Sequence, residues 1–498
     1  MAAMRNAFHG GPVGEAPRAG AAGRRRRGAA AAALACAVVA TGLVSRADEP
    51  FVRRAGTHFL SGDQRFYFMG ANCFYLAYFA QDTAAATNGQ TWRAMADEVM
   101  ERSRTLGLRV LRIWAFNESP DLAFEGNPHG EWWLRTVEDG TARYREEALA
   151  GFDYVLERAR SLGLYVILTL ANNWSDYGGK RWYVVNSPTA WNDGAEYDAF
   201  YTDGQCRQWY KEHVLRMANR TNTWNGRVYK DDPTIFAWQL MNEPRCKTDT
   251  TGVTIRNWIF EMAAWVKAAD TNHMVSTGEE GWTDAQPWEG TRWHTNNACP
   301  DVDYTVAHCW PDSWSWLWGD PAQTAGYSNA MAWVRDHARD AGTVLGKPFV
   351  LSEYGRNLPA EGAYGRDAYM AGWFDEILAS AAGGGAAAGL NFWMFEADHS
   401  GHADLGSVFS RQTSTVELVS MEAEAMNTLI APRIDPMTAL PEGIRLTWSS
   451  VVGHPQYRVR VSGDLVAWKE PALVATNEWT DTEAAGLSRR FYRIVPRY

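Results

Sequence analysis

TWRAMADEVMERSRTLGLRVLRIW, residues 91–114, reads as one helix-to-strand unit. Thr91–Leu106 has the pattern of an amphipathic helix, Gly107 supplies the stop, and Arg109–Trp114 is a short apolar strand. The same grammar returns at Glu146–Leu162, Gly163 and Leu164–Leu170. Further strands are expected at residues 66–72, 235–242, 273–277, 304–308, 348–353 and 389–395. Eight strands with helices between them predict an α/β fold, a (β/α)8 TIM barrel with long insertions. The rival is a doubly wound open sheet. Neither GxGxxG nor GxxxxGK[ST] follows any of these strands, so the barrel is preferred.

Composition frames the barrel. The chain has 498 residues, 46% of them hydrophobic, which excludes wholesale disorder. Its formal charge of −10 argues against a nucleic-acid partner, which would call for a basic face. Tryptophan is unusually abundant, at 25 residues against 19 Phe and 20 Tyr, and suggests flat apolar platforms in a cleft or on a surface.

The two ends read differently from the middle. Arg24–Arg27 precede the small, apolar run Gly28–Val44 and then Ser45-Arg46-Ala47. That order describes a signal peptide over residues 1–47 and predicts a secreted, extracellular or periplasmic protein with no membrane span after cleavage. The paired arginines would also suit twin-arginine export. The barrel is then expected over residues 48–430. After it, IRLTW, QYRVRVS and FYRIV alternate without helical period, so residues 433–498 are expected to form a small all-β, sandwich-like module. Its Trp448, Trp468 and Trp479 are either core or platform.

Five cysteines remain beyond the signal: Cys73, Cys206, Cys246, Cys299 and Cys309. Their spacings match no zinc pattern and the 11 histidines form no HExxH, so neither a metal nor another cofactor is expected.

Chemistry in a barrel gathers where strands end at the C-terminal face. The fourth strand runs out in Trp238-Gln239-Leu240-Met241-Asn242-Glu243-Pro244-Arg245, and the seventh in Leu351-Ser352-Glu353-Tyr354-Gly355. Two Glu at the mouths of opposing strands are what glycosidic cleavage needs: one protonates the leaving oxygen, and the other attacks the anomeric carbon or activates water. Arg112 sits inside an apolar strand, where an arginine is seldom solvated.

With these residues stand the motifs MGANCFYLAYF (69–79), LRVLRIWAFNE (108–118), LANNWSDYGG (170–179), WQLMNEPRC (238–246), STGEEGW (276–282), HCWPDSW (308–314) and LSEYGR (351–356). In this order and spacing the chain resembles glycoside hydrolase family 5, in the clan with catalytic Glu on strands four and seven. Within it the likeness is to the endo-β-1,4-mannanase subfamily. The resemblance implies Glu243 as acid/base, Glu353 as nucleophile and retention of anomeric configuration. It implies Arg112 as the arginine whose fork holds Glu353 bidentately and lowers its pKa, Asn242 at the sugar 2-hydroxyl, His308 supporting the carboxylates and the −1 sugar, and Trp393 as the stacking platform beneath that sugar. Trp174, Asn173 and Asn72 are further candidates. Trp310 stands where many members have Tyr; an indole N–H donates a hydrogen bond but accepts none. Trp314, Trp316 and Trp318 recur at a spacing of two in the sixth loop, a spacing that keeps to one face on a strand, and not all three are assumed to face sugar. Trp282 is equally open, and Glu279 and Glu280 are expected to orient loops rather than react.

The expected partner is therefore β-mannan or a manno-oligosaccharide, acted on by a monomer. The alternatives are an exo-acting β-mannosidase or mannobiose-releasing enzyme, a β-1,4-glucanase, or a non-catalytic polysaccharide-binding barrel.

Overall fold

The structure is a computed structural model and describes residues 50–497 apart from 85–88, 119–131, 192–195, 357–363, 398–406, 410, 430–436, 441–442, 449–455, 463–468, 477 and 484–490. The expected signal peptide (residues 1–47) and Trp468 lie outside the described residues.

Eight parallel strands carry the fold: β1 (Phe68–Asn72), β2 (Val110–Trp114), β3 (Tyr165–Thr169), β4 (Ile235–Gln239), β5 (Met274–Ser276), β6 (Thr305–Cys309), β7 (Phe349–Tyr354) and β8 (Ala387–Phe392). They are ordered β5-β4-β3-β2-β1-β8-β7-β6 and coincide with the expected strands apart from their ends. Every residue in them is buried, as parallel strands covered on both faces require. A helix follows each strand: α1 (Trp92–Thr105), α2 (Glu146–Leu162), α3 (Gly204–Ala218), α4 (Val253–Ala269), α5 (Trp293–Asn297), α6 (Thr324–Asp340), α7 (Arg366–Ala382) and α8 (Thr413–Thr428). Thr91, expected as the first helical residue, instead caps α1 by accepting from the Ala94 N–H, and α2 ends, as expected, on Gly163, which takes the left-handed conformation.

The ring closes between β5 and β6 without a regular ladder. The Asp303 N–H donates to Val275 O at 2.8 Å, and the His308 N–H donates to Glu280 O at 2.9 Å. Side chains fill the rest of the gap: the Asp303 carboxylate accepts the Val275 N–H, and the Trp293 indole donates to Val306 O. Those contacts satisfy backbone groups that a missing ladder would otherwise leave buried and unpaired. The opposite end of the barrel is stoppered by aromatic rings. Phe59, from the short antiparallel sheet that precedes β1, meets Phe236 and Tyr304 edge to face, and Phe66 meets Tyr165.

The C-terminal strands form two antiparallel three-stranded sheets that share a separate apolar cluster of Leu446, Trp448, Tyr457, Val459 and Val461. Trp448 is buried in that cluster and Trp479 packs against it, so both belong to the module's interior. Cys73, Cys206, Cys246, Cys299 and Cys309 are all free and buried. Among the described residues no helix is long and apolar enough to cross a membrane.

Candidate active site

β2 and β4 place the base of the site, and a bulge places its centre. Arg112 pairs in register with Asn72 across β1 and β2. The register of β6 against β7 slips between Ala307 and His308, which sets His308 opposite Glu353. Bulges re-aim side chains in this way beside functional sites. Beyond β4 the backbone of Glu243 turns left-handed (φ 51°), a strained state for a non-glycine residue. Its N–H donates to Gly278 O at 2.9 Å. Gly278 is itself at φ +83°, and a Cβ there would stand 1.8 Å from Met241 O, so only glycine lets the two loops touch.

These turns bring Glu243, His308 and Glu353 together, with one oxygen or nitrogen of each within 4.8 Å of the others. His308 Nδ1 lies 2.7 Å from Glu243 Oε1 and 3.4 Å from Glu353 Oε2. The Trp174 indole donates to Glu243 Oε2 at 2.6 Å, and the Trp310 indole to Glu353 Oε2 at 3.3 Å. Among the described residues this is the one group of at least three His, Cys, Asp or Glu compact enough to hold a metal ion. The Arg112 guanidinium already supplies the positive charge beside Glu353, at 2.5 Å.

That contact corrects one expectation. Arg112 holds Glu353 through Nη1 alone, because Nε donates to Gln239 and Nη2 to Asn242, while Nη1 also reaches Asn72. It is wholly buried, so it braces the site from beneath instead of facing a ligand. Asn72 does the same: its amide nitrogen donates to Ser352 O, Asn391 O and Phe392 O while its oxygen accepts from Arg112. Asn242 accepts from Arg112 and donates to Asn172. Asn173 lies in the third loop with its side-chain oxygen buried and without a protein partner.

The charge balance departs from expectation as well. Burial pushes the Glu353 carboxyl up, aided by the neighbouring Glu243 charge, and His308 and Arg112 only partly offset this. At Glu243 burial also raises, but the hydrogen bond and charge of His308, with Arg245 and Trp174, outweigh it and hold the carboxyl below the usual range. Desolvation at a fully buried position outweighs the lowering pull of the arginine beside Glu353.

Aromatic walls complete the cleft. Trp393 stacks on Phe74 at 5.7 Å and meets Trp310 edge to face at 6.1 Å, forming a corner next to Glu353. A Cβ on Gly355 would come within 2.9 Å of Trp310, so that corner needs a glycine after Tyr354. Sequence reasoning did not find the outer brace of Glu243. Arg245 forms a two-pronged ion pair with Glu280 and another with Glu289, and its guanidinium lies 4.8 Å from the centre of the Trp174 ring. Glu280 thus orients a loop, as expected. Glu279 is a separate buried carboxyl held by Asn296 and Asn297 and pushed up to about 8 by burial.

A (β/α)8 barrel with two closely spaced carboxylates at the ends of β4 and β7, between tryptophan walls, has the architecture of a clan of glycoside hydrolases. The comparisons narrow this further. Residues 49–413 match the family profile described as GH family 5 beta-mannosidase-like, and the chain belongs to that family of glycoside hydrolases. Mannan endo-1,4-beta-mannosidase 1 of Arabidopsis thaliana is 31% identical over 416 residues, covering 80% of this chain and 93% of its own. Mannan endo-1,4-beta-mannosidase 3 of Oryza sativa subsp. japonica is 36% identical, covering 69% and 72% respectively. The crystal structure of the endo-1,4-beta-mannanase from Rhizomucor miehei superposes with a TM-score of 0.62 at 26% identity, over 76% of this chain and 99% of that one.

Proposed function

We propose that the protein is a retaining endo-β-1,4-mannanase that cuts internal bonds of mannan, glucomannan or galactomannan by double displacement. The observation that carries this reading is the distance of at most 4.8 Å between carboxylate oxygens of Glu243 and Glu353. Retention goes with carboxyls roughly 5 Å apart, whereas inversion calls for a gap wide enough to admit a water. Glu353 attacks the anomeric carbon while Glu243 gives its proton to the departing glycosidic oxygen, leaving a glycosyl ester on Glu353. Glu243, now ionised, takes a proton from water; the water oxygen attacks the same carbon and frees Glu353.

This sequence needs Glu243 protonated and Glu353 ionised when sugar arrives. A charged His308 favours the reverse at Glu243. A neutral His308 accepting at Nδ1 from the protonated Glu243 favours the working form. Trp393 offers its ring to the sugar, and Asn242 offers its amide to the 2-hydroxyl. Four further parts of the proposal rest on the sequence: export through residues 1–47, a barrel over 48–430, an accessory module over 433–498, and action as a monomer.

Chromatography of early products from mannohexaose, with NMR of the newly formed anomer, tests the function. Mixed oligomers of retained configuration are expected. Mannose alone at early time would sink the endo reading, and inverted product would sink double displacement. Glu353→Ala should be rescued by azide to give the inverted glycosyl azide.

A further inference from the structure

The loops after β5 and β6 carry a second group of tryptophans that the reaction does not use. Ser315–Trp318 is a short helical turn rather than a strand, so Trp314 and Trp318 face inward, buried, while Trp316 is 57% exposed. Trp288, from the preceding loop, is 37% exposed and lies 4.8 Å from Trp316 between ring centres. Both rest on buried Trp282, which is nearly parallel to Trp316 at 24°. Contiguous exposed aromatic surface is unusual on a soluble protein and marks a place of contact.

This patch is built into the active site. The Trp282 indole donates to Glu280 Oε2 at 3.2 Å, and the same carboxylate holds Arg245 over Trp174, the residue that grips Glu243. On the other side, the Trp314 N–H bonds to Trp310 O, and Asp312 pairs with Arg356, three residues beyond Glu353. The loop is therefore tethered to both carboxylates, and its exposed rings lie at the same C-terminal mouth.

We propose that Trp288 and Trp316 form a remote sugar-binding platform that holds the β-1,4-mannan chain several units from the bond being cut. An indole face suits the C–H side of a neutral pyranose, and a surface fixed by packing binds without ordering a loop. The occupant is inferred from this continuity with the cleft, and its identity as mannan rests on the function proposed above.

Calorimetry on the full-length Glu243→Gln protein separates the two readings. Mannohexaose should bind about tenfold more weakly once Trp288→Ala and Trp316→Ala are added, and mannobiose about equally in both backgrounds; tenfold corresponds to about 1.4 kcal/mol. In the otherwise unaltered enzyme, KM for mannohexaose should rise with kcat nearly constant, and Trp316→Phe should restore most of the affinity. Unchanged hexaose binding in the double replacement overturns the platform. If cellohexaose binds in place of mannohexaose, the mannan reading fails and the same replacements judge the platform on that chain. Binding of neither overturns the platform, as would a parent dimer that the replacements dissolve without altering sugar affinity.

Discussion

Arg112 joins four polar side chains from three strands and from the turn after β4, and it does so with no exposed surface. A lysine keeps the charge but loses the planar fork, so it cannot serve Gln239, Asn72, Asn242 and Glu353 together. Arg112→Lys is expected to lower kcat on mannan at least a hundredfold. Arg112→Met, which leaves Glu353 buried without its counter-charge, should also remove about 3–5 kcal/mol of stability, read by denaturant unfolding. Glu422 poses the opposite case. Both its carboxylate oxygens are buried without a protein partner, and burial pushes it up to about 9. A carboxyl raised on folding stabilises the native state below its unfolded value, and that contribution drains away as pH rises toward 9. The melting temperature should therefore fall from pH 5 to pH 9, and Glu422→Gln should flatten that slope.

At the scale of elements, the loop after β4 stands on the loop after β5 through the Glu243 N–H and Gly278 O. Gly278→Ala forces a Cβ into Met241 O at a left-handed position. Alanine at such a position destabilises by more than the usual 0.4–1 kcal/mol of a compatible exchange, so the variant should lose activity and melt lower. The strands and the glycine-stopped helices were legible in sequence because burial and helix termination leave a local period. The ends of β4 and β7 were legible for the same reason, since each carboxylate follows an apolar run. Arg245 with Glu280 was not: the partners are 35 residues apart on two loops, and no local pattern marks an ion pair across them. The geometry of Arg112 was hidden too, because one guanidinium shared among four partners depends on register between strands. The spacing of Trp314, Trp316 and Trp318 left their facing open, because a short helical turn, which turns one ring outward and two inward, leaves no period in so few residues.

At the scale of the molecule, the described residues form two apolar cores, one in the barrel and one among the C-terminal strands. The last barrel helix, α8, is fastened by Asn427 donating to Gly107 O. A protein ending at residue 432 should keep kcat/KM for mannohexaose within about twofold, since the barrel closes before that point. Its thiols should be silent in the native state. Cys73, Cys206, Cys246, Cys299 and Cys309 are buried, and burial pushes Cys73 and Cys309 well above the usual thiol range. A colorimetric thiol reagent should find none of the five until denaturant is added, and a reductant should leave the melting temperature unchanged.

The closure between β5 and β6 gives the barrel a tear line. Seven of the eight junctions are laced by ladders, and the eighth is stitched by two backbone bonds, a carboxylate and an indole. When the sheet breathes, it should part there first, so deuterium should reach the amides of Asp303 and His308 sooner than those of β1. Glu243 and His308 lie on opposite banks of that line, so their contact should be among the first to open as the protein warms.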